Sequence, residues 1–311
     1  MHHPSRLAHT YSIVAFDAAA QQLGVAVQSH YFSVGSVVPW LEPGVGAIAT
    51  QSFVEVSYGP LGLALMKAGK TAQQALAALT ATDPQQERRQ VAMVDTRGNV
   101  AAHTGARCIP AAGHHTGAGY SVQANLMLRD TVWGAMAAAY EQTRGDLAER
   151  MLVALEAAEA EGGDIRGRQS AALVVIDAAA TGQPWETRRF DLRVDDHAEP
   201  LVELRRILNV RRAYHAWDQV EAALVGEHMD EQQVAAALAA FRAAPDLMPA
   251  NPEGVFWFAC ALVNAGQVAT ALPHFQQVFA VQPIWRELVP RMAGAGLLPD
   301  DAALLARIVA G

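Results

Sequence analysis

The sequence predicts an α+β fold followed by an all-helical region, and three features point there. Up to about residue 196, strand-like and helix-like stretches come in blocks: strands, two helices, strands, two helices, strands. Helices grouped against antiparallel strands imply layers rather than βαβ units. Past Asp195-Asp196-His197 the strand signature ends, and the 311-residue chain, 51% hydrophobic and 17% charged, has material for about two packed domains.

Thr10–Phe16 (TYSIVAF) is rich in β-branched and aromatic residues, and Leu23–Val27 (LGVAV) returns as its hairpin partner after the Asp17–Gln22 turn. Val34–Trp40 is a third apolar run, punctuated by Pro39 and Pro43, and Gly44–Thr50 reads as another strand. A helix then runs from Gly59 toward Gly69, and Thr71 caps a second one that closes before Asp83-Pro84. Gln90–Asp95 and Asn99–His103 are strands joined by Thr96-Arg97-Gly98. The glycine-rich segment Thr104–Gly119 reads as a loop leading to the short strand Tyr120–Gln123. Met127–Tyr140 and Asp146–Glu161 are long helices, the second stopped by Gly162-Gly163. Ser170–Asp177 and Glu186–Val194 close the set as strands.

In the remainder, Glu199–Trp217, Val220–Glu227 and Glu231–Ala243 read as helices. Pro252–Pro283, with Phe256, Trp257, Ala259, Leu262, Gly266, Ala271, Phe275 and Phe279, resembles one tetratricopeptide (TPR) unit of about 34 residues. Three segments are thus expected: a leader at 1–9, a domain at 10–196, and an α-helical, TPR-like domain at 197–311.

Composition removes several function classes. With 23 Lys+Arg against 31 Asp+Glu the net charge is −8, which argues against nucleic acid gripped through a broad basic surface and against polybasic membrane attachment. No apolar run reaches the roughly 18 residues of a membrane span, and Met1–His9 lacks the apolar core of a signal peptide, so a cytoplasmic protein is expected. Cys108 and Cys260 are too far apart for a metal knuckle. Cys108 reads as a buried, inert thiol. His103, His114 and His115 lack metal-ligand spacing, and Gly44-Val45-Gly46 lacks the rest of a dinucleotide site. No metal or cofactor is expected.

The chemistry centres on Thr10. A threonine hydroxyl is a weak nucleophile, but a free α-amine on the same residue, with an ordinary pKa of about 8, can take its proton. That requires Thr10 to begin the working chain, so His9-Thr10 must be cut or translation must start elsewhere; the alternative is an ordinary edge-strand threonine.

Several motifs carry a resemblance: the stretch Thr10–Ala15, Leu23–Val27, Gly44–Gln51, Thr104–Cys108, Gly119–Gln123 with Asn125, and Gly162-Gly163-Asp164 with Arg168–Ala172. In this order they resemble the DUF1028 family over residues 10 to about 196. That family is similar to the N-terminal-nucleophile (Ntn) hydrolases, which implies a four-layer αββα sandwich and an amide-hydrolase activity with Thr10 as nucleophile. Family members often begin Met-Thr, whereas this chain has a nine-residue leader. The resemblance places Asp164 near the nucleophile's amine, and Ser29-His30 stands where proteasome-like relatives carry a carboxylate.

Other roles follow from residue chemistry. Ser29 and His30 fall beside the start of the first strand, and His30 could move protons or serve structure. Gln51 and Ser52 could bind a substrate's amide edge or simply end their strand. Gln123 and Asn125 could stabilise an oxyanion, with helix capping the competing task for Asn125. Arg107 could hold a substrate carboxylate, and Gln169 is a further substrate-binding candidate. Asp164 could equally be a turn residue paired with a nearby arginine.

Two functions remain open. One is an amidohydrolase acting on a small-molecule or peptide amide, in a homo-oligomer. The other is a catalytically silent adaptor whose C-terminal helices hold a protein partner, with Phe256-Trp257-Phe258 either in its docking surface or in its core.

Overall fold

The computed structural model of the chain describes residues 6–225 and 251–310. The helix expected at Glu231–Ala243 and the end of Val220–Glu227 lie outside the described residues. The chain divides into two compact units, the first ending at Arg206 and the second beginning at Ile207.

The first unit is built on two antiparallel sheets. In one, β5 (Gly46–Val54) is flanked by β6 (Arg89–Asp95) and then β7 (Val100–Thr104). The opposite edge of β5 is shared. β4 (Pro39–Glu42) lies along Gly46–Ala49 and β1 (Arg6–Ala8) along Ser52–Val54. The second sheet runs β11 (Arg188–Val194), β10 (Ser170–Asp177), β3 (Gln22–Ser29), β2 (Thr10–Asp17), β9 (Tyr120–Ala124) and β8 (Gly113–Gly117).

Alternation along the strands decides which residues meet which layer. Val14 and Phe16 of β2 and Leu23, Val25 and Val27 of β3 share one core with Ala47, Ala49, Ala92 and Val94 of the other sheet. The opposite faces of β5 and β6 send Ile48, Val91 and Met93 into a separate core. There they meet Leu63 and Met66 of α1 (Tyr58–Lys67) and Leu76 and Leu79 of α2 (Ala72–Thr82). Thr71 closes the start of α2 with a capping box completed by Gln74.

On the second sheet's other face lie α3 (Val132–Gln142) and α4 (Leu147–Ala160). A Cβ on Gly24 would come within 2.5 Å of the Met151 side chain, so glycine lets α4 sit close to β3. Both sheets being antiparallel, with helices and strands in blocks, the unit is α+β as expected.

Four boundaries differ from expectation. Part of the Thr104–Gly119 loop is the strand β8, a GHHTG stretch with one β-branched residue, held by its ladder to β9. The leader contributes β1. The third helix starts at Val132 rather than Met127, and a single helix, α5 (Pro200–Val225), replaces the break between Trp217 and Val220.

The second unit holds a helical hairpin, α6 (Glu253–Asn264) and α7 (Val268–Val281), followed by α8 (Val289–Gly294) and α9 (Ala302–Ala310). Phe256, Phe258, Phe275 and Phe279 form its core, with Phe256 edge-on to Phe275 at 5.6 Å between centroids. Two of the three aromatics Phe256-Trp257-Phe258 are therefore packing residues. No described helix is long and apolar enough to cross a membrane.

Candidate active site

Thr10 opens β2, pairs with Ser29 of β3, and faces the space between the two sheets. It is completely buried. Its Oγ1 donates to the Ala8 carbonyl at 2.7 Å, and its nitrogen is in peptide linkage with His9. Three donors fix its carbonyl oxygen: the Asn125 backbone N–H (3.1 Å), Asn125 Nδ2 (3.3 Å) and Gln51 Nε2 (3.2 Å). Asn125 follows β9 directly, and β9 is the neighbour of β2, so the sheet itself delivers this side chain.

The bond in front of Thr10 is held as firmly. The carbonyl oxygen of His9 accepts from Ser29 Oγ at 2.6 Å and from Arg166 Nη2 at 2.9 Å. Arg166 is aimed there by Asp164, whose carboxylate takes Nε at 3.0 Å and Nη2 at 2.7 Å. Such a two-point pair fixes the guanidinium plane as well as its charge. Asp164 also accepts from the backbone N–H of Arg166 (2.9 Å) and of His30 (3.3 Å), which offsets the cost of its burial. Gly162 and Gly163, at φ 117° and 55°, turn the chain off α4 and bring Asp164 inward.

The His9 ring is buried as well. Its Nδ1 meets Asn125 Oδ1 at 2.8 Å and its edge meets the Phe53 ring at 5.5 Å between centroids. Nε2 has no hydrogen-bond partner among the described residues. Burial pushes the imidazole pKa below 6.5, and the nearby Arg166 guanidinium adds to this, against the opposing pull of Asn125 and Asp164. The ring is neutral at physiological pH.

Behind the site, a buried network ties the two sheets together. Gln51 Nε2 donates to Gln90 Oε1 (2.7 Å) and Asn125 Nδ2 to the same oxygen (2.8 Å). Ser12 Oγ donates to Gln51 Oε1, and Gln123 Nε2 reaches Ser12 Oγ at 2.5 Å. With Gln90 Nε2 spent on Thr104 Oγ1 and two carbonyls, these amides leave Thr10 little freedom.

The structure thus brings together Thr10, Ser29, Asn125 and Asp164. Gln51 and Gln123 are near but fully buried, their amides spent on protein partners. Asn125 Nδ2 faces the carbonyl of Thr10 itself rather than that of His9. His30 is exposed, its ring at 3.3 Å from the Arg168 carbonyl, and its backbone touches Asp164. Arg107 is exposed on the β7–β8 connection, away from the Thr10 cluster; the Gln169 side chain pairs with Asp196 at 3.1 Å, and only its backbone N–H reaches the cluster, donating to the Ser29 carbonyl at 3.2 Å. Cys108 is buried, which raises its thiol pKa. His103 and His114 bond the Gln86 carbonyl and Thr104, and no group of three or more potential ligands that could hold a metal occurs among the described residues.

Three participants escaped sequence reasoning: His9, Arg166 and Gln90. Ser52, expected with Gln51 at the strand's end, sits opposite Ala8 at φ 72°, a strained backbone for a non-glycine residue and a common mark of functional sites. Gln90 is signalled only by standing, polar, at the head of the apolar run Val91–Val94.

Residues 10–204 match a family described as "Family of unknown function (DUF1028)". Among solved structures, the crystal structure of protein SPO2555 from Silicibacter pomeroyi, placed in the same family, is similar. It shares 28% identity over 67% of this chain and 89% of that one, with a TM-score of 0.61. No curated protein matches the chain.

Proposed function

This chain belongs to the DUF1028 family, and from that premise we propose that its first unit is an Ntn amidohydrolase with Thr10 as nucleophile. Two antiparallel sheets, packed on a shared core with a helix pair on each outer side, fit the αββα sandwich of that class. The observation that carries the reading is the amide carbonyl next to Thr10, held between Ser29 Oγ and Arg166 Nη2. Donors placed at such an oxygen are what an acyl-transfer site needs as charge develops there.

Once the His9–Thr10 bond is open, the freed amine takes the proton of Oγ1, and Oγ1 attacks the substrate's carbonyl carbon. The C–N bond breaks as the ammonium returns a proton to the leaving nitrogen, leaving an ester on Thr10. Water then attacks that ester, with the amine as base, and releases the acid. Ser29 and the Asp164–Arg166 pair hold the oxyanion, while Asn125 and Gln51 hold the Thr10 backbone. The buried hydroxyl and closed peptide bond make the chain with its leader in place an inactive form.

A panel of acyl p-nitroanilides tests this. Thr10→Ala should abolish turnover while Thr10→Ser keeps part of it; equal turnover by Thr10→Ala and the unaltered protein ends the proposal. The exposed Val281 and Ile284 of the C-terminal, TPR-like unit favour a second role there in holding a partner or another copy, as a cytoplasmic protein. A pure adaptor keeps its partner with Thr10→Ala and never turns over an amide.

A further inference from the structure

Resting on that reading, we propose that the edge of β5 beside Thr10 is a docking strand for an extended peptide. Arg6–His9 is its built-in occupant, and the substrate is a peptide amide whose acyl residue carries a neutral hydrogen-bonding ring such as histidine.

The edge of β5 is divided. β4 satisfies it along Gly46–Ala49, and β1 along Ser52–Val54, through the antiparallel register Arg6↔Val54, Leu7↔Phe53 and Ala8↔Ser52. Without β1, this stretch presents unpaired backbone donors and acceptors, the template that extended peptides add to. The docked strand runs straight into Thr10, so it lies on the acyl side of the bond whose carbonyl Ser29 and Arg166 hold. The structure therefore displays how the acyl half of an amide fits this site.

The His9 pocket then sets the preference. Asn125 Oδ1 at 2.8 Å asks for a donor, and the Phe53 ring asks for a flat partner. Asn125 cannot offer its Nδ2 to the ring, because that nitrogen is committed to Thr10 and Gln90. A carboxylate here would be buried against an acceptor oxygen without a donor of its own. The preceding residue, Ala8, is fully buried among apolar side chains, so only a small apolar residue fits there.

The family match begins at Thr10, so a chain running from Thr10 to Gly311 keeps the whole family domain and the C-terminal unit while leaving this edge open. Circular dichroism checks its fold, and fluorescence anisotropy with fluorescein-labelled Arg-Leu-Ala-His amide reads binding. The expected result is saturable binding, weakened about tenfold or more when Asp replaces the final His. The full chain, its edge already filled, should bind at least about tenfold more weakly. Equal binding of the His and Asp peptides, or none to a folded chain, overturns the proposal. If the shortened chain does not fold, the full chain carrying Arg6→Gly, Leu7→Gly and Ala8→Gly replaces it, and its failure to bind more tightly than the unaltered full chain overturns the proposal equally. The p-nitroanilide of the same tetrapeptide separates the two readings. Binding without hydrolysis keeps the docking strand and removes the Thr10 chemistry, whereas hydrolysis of simple amides without peptide binding does the reverse.

Discussion

A threonine whose nitrogen is acylated has lost its own base, and the side chains around Thr10 are arranged for both sides of that condition. Arg166 serves the His9 carbonyl only because Asp164 fixes it. Arg166→Met leaves a buried carboxylate with backbone donors alone and should cost about 3 kcal/mol, read by urea denaturation. Ser29→Ala removes one neutral hydrogen bond and should cost about 1 kcal/mol, while slowing amide turnover far more than that suggests. The buried neutral ring of His9 makes leader docking pH-dependent. Its pKa is lowered on folding, so the native state binds fewer protons than the unfolded one in the window below 6.5. The stabilisation is complete above that pH and falls away as pH drops through the window. The protection factors of the Ala8 and Thr10 amides, taken against the intrinsic exchange rate at each pH, should fall on acidification from pH 7 to 5; unchanged protection factors contradict a neutral ring.

At the scale of elements, period and punctuation made much of the fold readable. The β-branched and aromatic run Thr10–Phe16 and its return at Leu23–Val27 imply the hairpin that sets Ser29 beside Thr10, and Thr71 marks the start of α2. Thr71→Ala should cost about 1 kcal/mol through lost capping. What could not be read is structure made by partners at a distance. β8 has a poor strand composition and exists through its pairing with β9, and β1 is three residues whose only ladder among the described residues is the edge of β5. The site shows the same limit. Thr10, Ser29, Asn125 and Asp164 were visible as residue types in motifs, but Arg166 acts on a backbone carbonyl and His9 through its buried ring, and neither leaves a spacing signal. In the C-terminal unit, Phe256→Ala should cost about 3–5 kcal/mol by emptying the centre of the aromatic core.

For the whole molecule, the proposed function makes one unit a hydrolase domain held shut by the residues that precede its nucleophile, and the other a helical companion. A protein of this kind is active only in the form whose first residue is Thr10, because the base and the nucleophile belong to one amino acid. N-terminal sequencing and intact mass of the fraction that turns over an amide substrate test this most directly. The expected active species is a chain that starts at Thr10, with turnover in proportion to its abundance. A fraction that keeps Met1–His9 attached and still hydrolyses the substrate at full rate contradicts it.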